Sequence, residues 1–179
     1  ATLLHATTPR SSGLATLDVS EFQQSTLLTM DAMMFVGGGS ASAARGIKVT
    51  TFAVLVLSIV AEARGDRDIE TFGRRIPTES VRLAVAVAFL GTTLVGVSTL
   101  ILLSPTDFTL DEVVFEVISA FATCGLSTGI TPLLPDTAKY VLSALMFAGR
   151  IGTVTLAAAL ALRSRRRVIR MPEERPLIG

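Results

Sequence analysis

Apolar residues run through this chain in tracts of helical length, with polar residues gathered between them. Val81 to Leu103 carries no charge after Arg82, and Ala138 to Leu162 is interrupted by charge only at Lys139 and Arg150. A hydrocarbon core of about 30 Å takes roughly 20 apolar residues of helix to cross, so each tract predicts a membrane span. A third tract, Phe22 to Ala61, is too long for one straight helix and breaks at Gly37-Gly38-Gly39-Ser40. It predicts one helix over Phe22 to Val36 and another over Ile47 to Ala61. The connection from Glu62 to Glu79 is charged on both signs, and Pro77 marks a helix boundary before the next span. Asp111 to Ala122 predicts a helix too brief to cross a bilayer, with Thr123 to Thr131 as its exit turn and Pro132 and Pro135 ahead of the last span. Ala1 to Thr8 reads as the end of a similar short helix, and Pro9 to Thr16 as a turn rich in small residues.

Two stretches repeat each other. Gly13-Leu14-Ala15-Thr16 matches Gly125-Leu126-Ser127-Thr128, and Met34-Phe35-Val36-Gly37 matches Met146-Phe147-Ala148-Gly149, both at an offset of 112 residues. A shared offset points to one duplicated unit of short helix, glycine turn and long helix. In an apolar chain this is the layout of a re-entrant pore loop, where freed backbone carbonyls can ligate a cation.

Composition agrees with the pattern. Half the residues are hydrophobic and the mean hydropathy is +0.60, the range of a membrane protein. The net charge of +1 says little, but its distribution is informative. Leu83 to Ala138 holds no Lys or Arg, yet contains Asp107, Asp111, Glu112, Glu116 and Asp136. Arg64, Arg67, Arg74, Arg75 and Arg82 crowd the preceding connection, and Arg163, Arg165, Arg166, Arg167 and Arg170 follow the last span. The positive-inside rule places both basic segments in the cytoplasm, so Ser104 to Asp136 enters the membrane from outside and returns outward. Its carboxylates would concentrate cations at an outer mouth. Asp107, Asp111 and Glu112 read as a field of solvated charge and not as ligands. With Cys124 as the single cysteine there is no intrachain disulfide. No signal peptide is visible, and the opening at Ala1 suggests a piece of a longer polypeptide.

The chemistry falls at three places. In Thr123-Cys124-Gly125-Leu126-Ser127, glycine lets the backbone hold successive carbonyls on one side, as a dehydrated potassium ion requires. Arg10-Ser11-Ser12-Gly13-Leu14 is the matching strand of the other repeat. The alternative is a pair of ordinary glycine turns between helices. Gly37-Gly38-Gly39-Ser40-Ala41-Ser42-Ala43-Ala44-Arg45-Gly46 breaks a helix at membrane depth, which is tolerated only against protein or a wet cavity, so it reads as a loop obstructing the path below a filter. Close helix packing through small residues is the alternative there. Arg150 takes the place that Gly38 holds in the other repeat. A central arginine costs roughly 2.5 to 3.5 kcal/mol on insertion scales, so it seeks a polar partner, and the carbonyls of residues 37–42 are candidates for a latch. Reaching toward the cytoplasmic headgroups is its other reading. Arg45 and Lys48 read as loop-shaping or headgroup charges, and His5 carries no metal-ligand spacing. The spans offer no Asp/His or Ser/His constellation and Asp31 stands alone, so an enzyme is not expected, and nothing points to nucleic acid.

The strings MFVGGGSASAARGIKVTTF, SAFATCGLSTGIT, MFAGRIGTVTLAAAL and PEERPLIG resemble the membrane subunits of the Ktr/Trk/HKT potassium-transporter superfamily, and within it the bacterial Ktr type. The resemblance implies an all-α polytopic membrane protein of helix, re-entrant pore loop, helix repeats around one potassium-channel-like pore. This chain would hold about the last one and a half of four repeats. Residues 1–61 would end the third repeat, 62–80 connect in the cytoplasm, 81–162 form the fourth (pore helix 111–122, filter 123–127, inner helix 138–162), and 163–179 make a cytoplasmic C-terminal tail. It further implies potassium uptake across the cytoplasmic membrane, with Ser11, Ser12, Gly13, Leu14, Thr123, Cys124, Gly125 and Leu126 as filter residues. Gly37, Gly38, Gly39, Ser40, Ala41, Ser42 and Gly46 would belong to the gating loop, with Arg150 as its contact. Expected partners are a second pore subunit and a cytoplasmic nucleotide-binding regulatory ring. No cofactor is expected beyond the transported ion, with sodium or proton coupling left open. Two departures stand out: Ala44-Arg45 where relatives carry a glycine pair, and Ala41-Ser42 where they carry Pro-Gly, which imply a stiffer loop with an added charge. Two filter strands cannot surround an ion, so this piece alone is not expected to conduct. A non-conducting ion sensor or auxiliary subunit is the competing expectation.

Overall fold

A computed structural model describes residues 19, 22–38, 47–65, 69–71 and 74–162, with backbone alone for residues 71 and 152–162. Five α-helices order these residues: α1 (Gln24–Phe35), α2 (Val49–Arg64), α3 (Thr78–Leu103), α4 (Leu110–Ala122) and α5 (Asp136–Leu162). A 3₁₀ turn, Thr131–Leu133, precedes α5. The expected all-α class needs one small correction. The polar connection between α2 and α3 closes as a two-stranded antiparallel hairpin, β1 (Glu70–Thr71) with β2 (Arg74–Arg75), in the register Glu70 opposite Arg75 and Thr71 opposite Arg74. Alternating charge in so short a segment leaves no periodicity to detect, and the ladder is extended only by the Ile76 N–H donating to the Ile69 carbonyl at 2.9 Å.

The helix boundaries follow local chemistry. Pro77, at φ −62° and ψ 140°, starts α3 three residues ahead of the expected Val81, because a fixed φ is tolerated where the first N–H groups have no intrahelical partner. α3 has 26 residues, rises about 39 Å, and is the one helix among the described residues long and apolar enough to cross a membrane. α5 runs for 27 residues from Asp136. α1 stops at Phe35, ahead of Gly37-Gly38, and the neck of the break is bonded across: Ile47 N–H donates to the Phe35 carbonyl at 3.1 Å, Gly37 N–H to the Ile47 carbonyl at 2.9 Å and Val49 N–H to the Gly38 carbonyl at 3.4 Å. Backbone groups released by the break thus find partners within the chain, as an apolar environment demands.

The centre of the molecule is α4. At 13 residues it rises about 20 Å, short of a membrane crossing, and every residue from Phe115 to Ala122 is buried. One face packs on α1, where Leu27, Met30 and Met34 meet Phe115, Ile118 and Ala122. The other meets α3 and α5, where Leu102, Ala138, Leu142 and Leu145 cover Val113, Val117, Ala120 and Phe121. Outward sides of α2, α3 and α5 expose Phe52, Ile59, Phe89, Leu100 and Phe147, a surface suited to lipid.

α5 approaches α4 closely at one point. A Cβ on Gly149 would lie 2.0 Å from the Phe121 carbonyl oxygen, so only glycine fits there. That explains the glycine of the second Met-Phe-x-Gly. Gly149→Ala is expected to force the helices apart and to cost about 1–3 kcal/mol, as overpacked cores do. Gly96→Ala on α3, whose Cβ meets nothing within 4 Å, should leave stability unchanged or slightly raised. Thermal unfolding of both variants in detergent checks the contrast.

Candidate functional site

The site is the C-terminal end of α4 and the limb that leaves it. Helix α4 starts with a capping box, in which Glu112 Oε2 accepts from the Thr109 N–H at 3.0 Å and from the Thr109 hydroxyl at 2.8 Å. This holds Glu112 at the helix start, where a negative charge also suits the macrodipole. Asp107 and Asp111 are exposed, in line with a field of solvated carboxylates.

At its other end the helix closes inside the protein. Thr123 N–H donates to the Ala120 carbonyl at 3.1 Å and Cys124 N–H to the Ser119 carbonyl at 3.0 Å, the paired bonds of a Schellman motif. The turn requires a left-handed residue, and here Thr123 takes it at φ 51°, ψ 39°. A β-branched residue in this region is held against its preference by about 1–2 kcal/mol, the kind of backbone strain that surrounding structure must over-determine. Cys124 follows, buried at 4% exposure, then Gly125 at φ +80° with its surface exposed. No described residue hydrogen-bonds the Gly125 backbone.

From Leu126 onward the limb climbs back along α4 and is tied to it by side chains. Ser119 Oγ donates to the Leu126 carbonyl at 2.6 Å and accepts from the Leu126 N–H at 3.1 Å, so one hydroxyl satisfies both backbone groups of one residue. One lone pair of the Leu126 carbonyl is therefore committed to the protein interior. One helical turn away, Glu116 is buried at 4% exposure. Its Oε1 accepts from the Ser127 hydroxyl and from the Thr128 N–H at 3.2 Å, and its Oε2 meets Thr131 Oγ1 at 3.0 Å. Ser127 Oγ lies 2.9 Å from Thr131 Oγ1 and accepts from the Gly129 N–H at 2.9 Å.

This corrects the sequence expectation for Glu116, which groups it with the acidic outer mouth. The returning limb covers that face of α4, so the carboxyl faces the limb and not water. Ser119 and Glu116 are residues of the site, tying the limb to α4, that composition and spacing miss. The available signal is the pairing of polar positions in apolar surroundings, with Glu116 and Ser119 three apart on the helix and Ser127 and Thr131 four apart on the limb. Asp31 on α1 is also buried, and its Oδ1 lacks a hydrogen-bond partner among the described residues.

Of the expected site residues, Thr123, Cys124, Gly125 and Leu126 are brought together on this limb. Gly37 and Gly38 form one side of the loop neck, and Arg150 is exposed on α5, one residue beyond Gly149. Ser11, Ser12, Gly13, Leu14, Gly39, Ser40, Ala41, Ser42 and Gly46 lie outside the described residues. The limb from Thr123 to Thr131 carries no Asp, Glu or His, so the oxygens it offers are backbone carbonyls and hydroxyls.

A short helix buried among longer apolar ones and closed by its own returning limb is an arrangement that suits a helical membrane protein. Comparison with known proteins narrows the class. The chain belongs to the TrkH family, described as cation transport proteins, whose pattern matches residues 1–167. It is 38% identical over 177 residues to Ktr system potassium uptake protein D of Bacillus subtilis, covering 99% of this chain and 39% of that protein. It is 36% identical over 181 residues to Ktr system potassium uptake protein B of the same organism, covering 100% of this chain and 40% of the relative. With Ktr system potassium uptake protein B of Vibrio alginolyticus the identity is 34% over 179 residues, 100% of this chain and 39% of the relative. The chain thus spans about two fifths of the length of these relatives.

Ser119→Ala is expected to leave the Leu126 N–H and carbonyl unpaired in the interior and to cost about 1–3 kcal/mol. Ser119→Thr, which keeps the hydroxyl, should retain most of that. Thermal unfolding of the purified protein compares the two.

Proposed function

We propose that this chain is part of the pore-forming subunit of a Ktr/Trk-type system that takes potassium into the cell, and that Thr123 to Leu126 form one strand of its selectivity filter. The single observation that supports this best is the limb itself. An exposed glycine at φ +80° sits between a left-handed helix end and a backbone clamped by Ser119, inside an apolar fold. Ion selection by backbone requires carbonyls held at fixed spacing where water is scarce, so that they replace the hydration shell of the ion. A clamped limb provides the fixed spacing, and glycine provides the turn. The identities to three potassium uptake proteins support the choice of ion.

In this reading Ser11 to Leu14 form the equivalent strand of the preceding repeat, so that α4 with its limb is one re-entrant loop among several around the pore. Residues 37–46 form an intramembrane gating loop whose neck is fixed by the Gly37–Ile47 and Gly38–Val49 bonds. Arg150, close in sequence to the Gly149 contact, latches that loop. The subunit sits in the cytoplasmic membrane with its C-terminus inside, pairs with a second pore subunit and answers to a cytoplasmic nucleotide-binding ring. The likeness to two proteins named as protein B of a Ktr system supports a partnered assembly.

Growth of a potassium-uptake-deficient strain on low potassium tests the reading, using the natural gene product that contains this chain, its Gly125→Ser variant and its Arg150→Ala variant. The natural protein should restore growth. Gly125→Ser should lower uptake about tenfold or more, since a side chain at this φ displaces the carbonyls. Arg150→Ala should change the uptake rate by freeing the loop. No rescue by the natural protein contradicts potassium uptake, equal rescue by Gly125→Ser removes Gly125 from the filter, and unchanged transport by Arg150→Ala removes the latch.

A further inference from the structure

Phe121 stands where the separate parts of the fold meet. It lies two residues ahead of the left-handed Thr123, inside the turn closed by Thr123 N–H on the Ala120 carbonyl at 3.1 Å and Cys124 N–H on the Ser119 carbonyl at 3.0 Å. It is buried at 2% exposure. Its backbone has α5 directly against it: a Cβ on Gly149 would come 2.0 Å from the Phe121 carbonyl oxygen, 3.0 Å from the carbonyl carbon and 3.3 Å from Cα. Its ring reaches α3 and the neck of the break that follows α1. The ring centroid is 6.2 Å from that of Phe35, with the planes tilted by 32°. A Cβ on Gly91 of α3 would lie 3.3 Å from Phe121 Cζ and 3.5 Å from Ile47 Cδ1, so the tip of the ring and Ile47 share the hollow that this glycine leaves open.

Phe35 and Ile47 are the two sides of that neck. Ile47 N–H donates to the Phe35 carbonyl at 3.1 Å, and the Ile47 carbonyl accepts from the Gly37 N–H at 2.9 Å. One residue therefore has its ring beside both sides of the neck and its backbone at the helix end from which Thr123 to Leu126 depart. A close-packed interior transmits displacement instead of absorbing it. With α5 already in contact at Gly149, the Phe121 backbone has no slack on that side, and a shift of the neck passes along the turn to Thr123.

We infer that Phe121 is a positioning residue that couples the neck to the filter strand, so that the placement of Phe35 and Ile47 sets the placement of the carbonyls of Thr123 to Leu126 and with it the preference for potassium. This rests on the reading of Thr123 to Leu126 as a filter strand. The coupling is steric, carried by one ring and two missing side chains. Phe35 makes no part of the limb, yet a change there acts on the ion through Phe121.

The test uses the natural gene product containing this chain, reconstituted in liposomes, with potassium uptake measured against competing sodium for the parent, Phe35→Leu, Phe121→Leu, the double variant and Gly96→Ala. Phe35→Leu and Phe121→Leu should each lower the potassium-to-sodium preference by about fivefold or more, the lower range of coupling between sites. The double variant should fall no further than the worse single one, since both cut the same link. Gly96→Ala, on the same helix as Gly91 but facing open space, should stay within about twofold of the parent. Where Phe121→Leu does not insert, Gly91→Ala takes its place by setting a methyl group against the tip of the ring. A role in packing alone would lower the unfolding temperature and leave the preference of the folded protein unchanged, and that result overturns the inference. So does a double variant whose loss is the product of the two single losses, which would make Phe35 and Phe121 independent. Amide hydrogen exchange gives a readout that does not need transport: Phe35→Leu should speed exchange across residues 119–128, Gly96→Ala should not, and unchanged exchange in Phe35→Leu denies the coupling. A parent that takes up no potassium while Phe35→Leu still speeds that exchange would refute the filter reading and leave the mechanical link standing.

Discussion

Ending a helix in the interior of an apolar fold is the constraint on which the rest of this structure depends. The last carbonyls of α4 have no water to turn to, and unsatisfied backbone groups in such surroundings are expensive. The chain meets the need by folding its own next residues back along the helix. Thr123 and Cys124 cap Ser119 and Ala120, the Ser119 hydroxyl serves both backbone groups of Leu126, and Glu116 takes the turn above. The left-handed conformation at Thr123 follows from that reversal, and so does the place of Gly125, the exposed residue between clamped neighbours. Helix α5 then seals the end from the side, close enough at Gly149 that no Cβ fits against Phe121.

The outline was legible in the sequence because hydropathy and glycine punctuation are strong local signals. The break after Phe35, the short helix ending at Ala122, the turn through Gly125 and the boundary at Pro77 all follow from residues whose backbone preferences decide the matter. The repeat offset of 112 residues paired Gly125 with Gly13 and Gly149 with Gly37, and Gly149 proves to be a contact glycine. What escaped notice depends on which residues face each other. Glu116 looks like its exposed neighbours Asp107 and Asp111 when only charge is counted, since nothing local says that the limb covers its side of the helix. Ser119 looks like a small residue in an apolar helix, and the strained Thr123 occupies a position where glycine would be expected. The hairpin at Glu70 to Arg75 was hidden for another reason: four paired residues are too few for any period.

The polar contacts of the site divide by role. Glu112 and Thr109 only begin a helix, and Asp107 and Asp111 are solvated. Ser119, Glu116, Ser127 and Thr131 are spent inside the protein, fixing backbone in place. That division suits the proposed role of presenting main-chain oxygen to a cation, because the side chains would stabilise the presentation and leave the ligands themselves uncharged.

The most direct measurement is a cryo-electron-microscopy map of the natural protein in a lipid nanodisc with potassium. The expected result places residues 110–131 within the lipid slab, with both ends of that segment on the same face and ion density opposite the main-chain oxygens of residues 123–125. A map with residues 123–127 outside the slab, or with α4 continuing as unbroken helix through Thr123, would contradict the central claim.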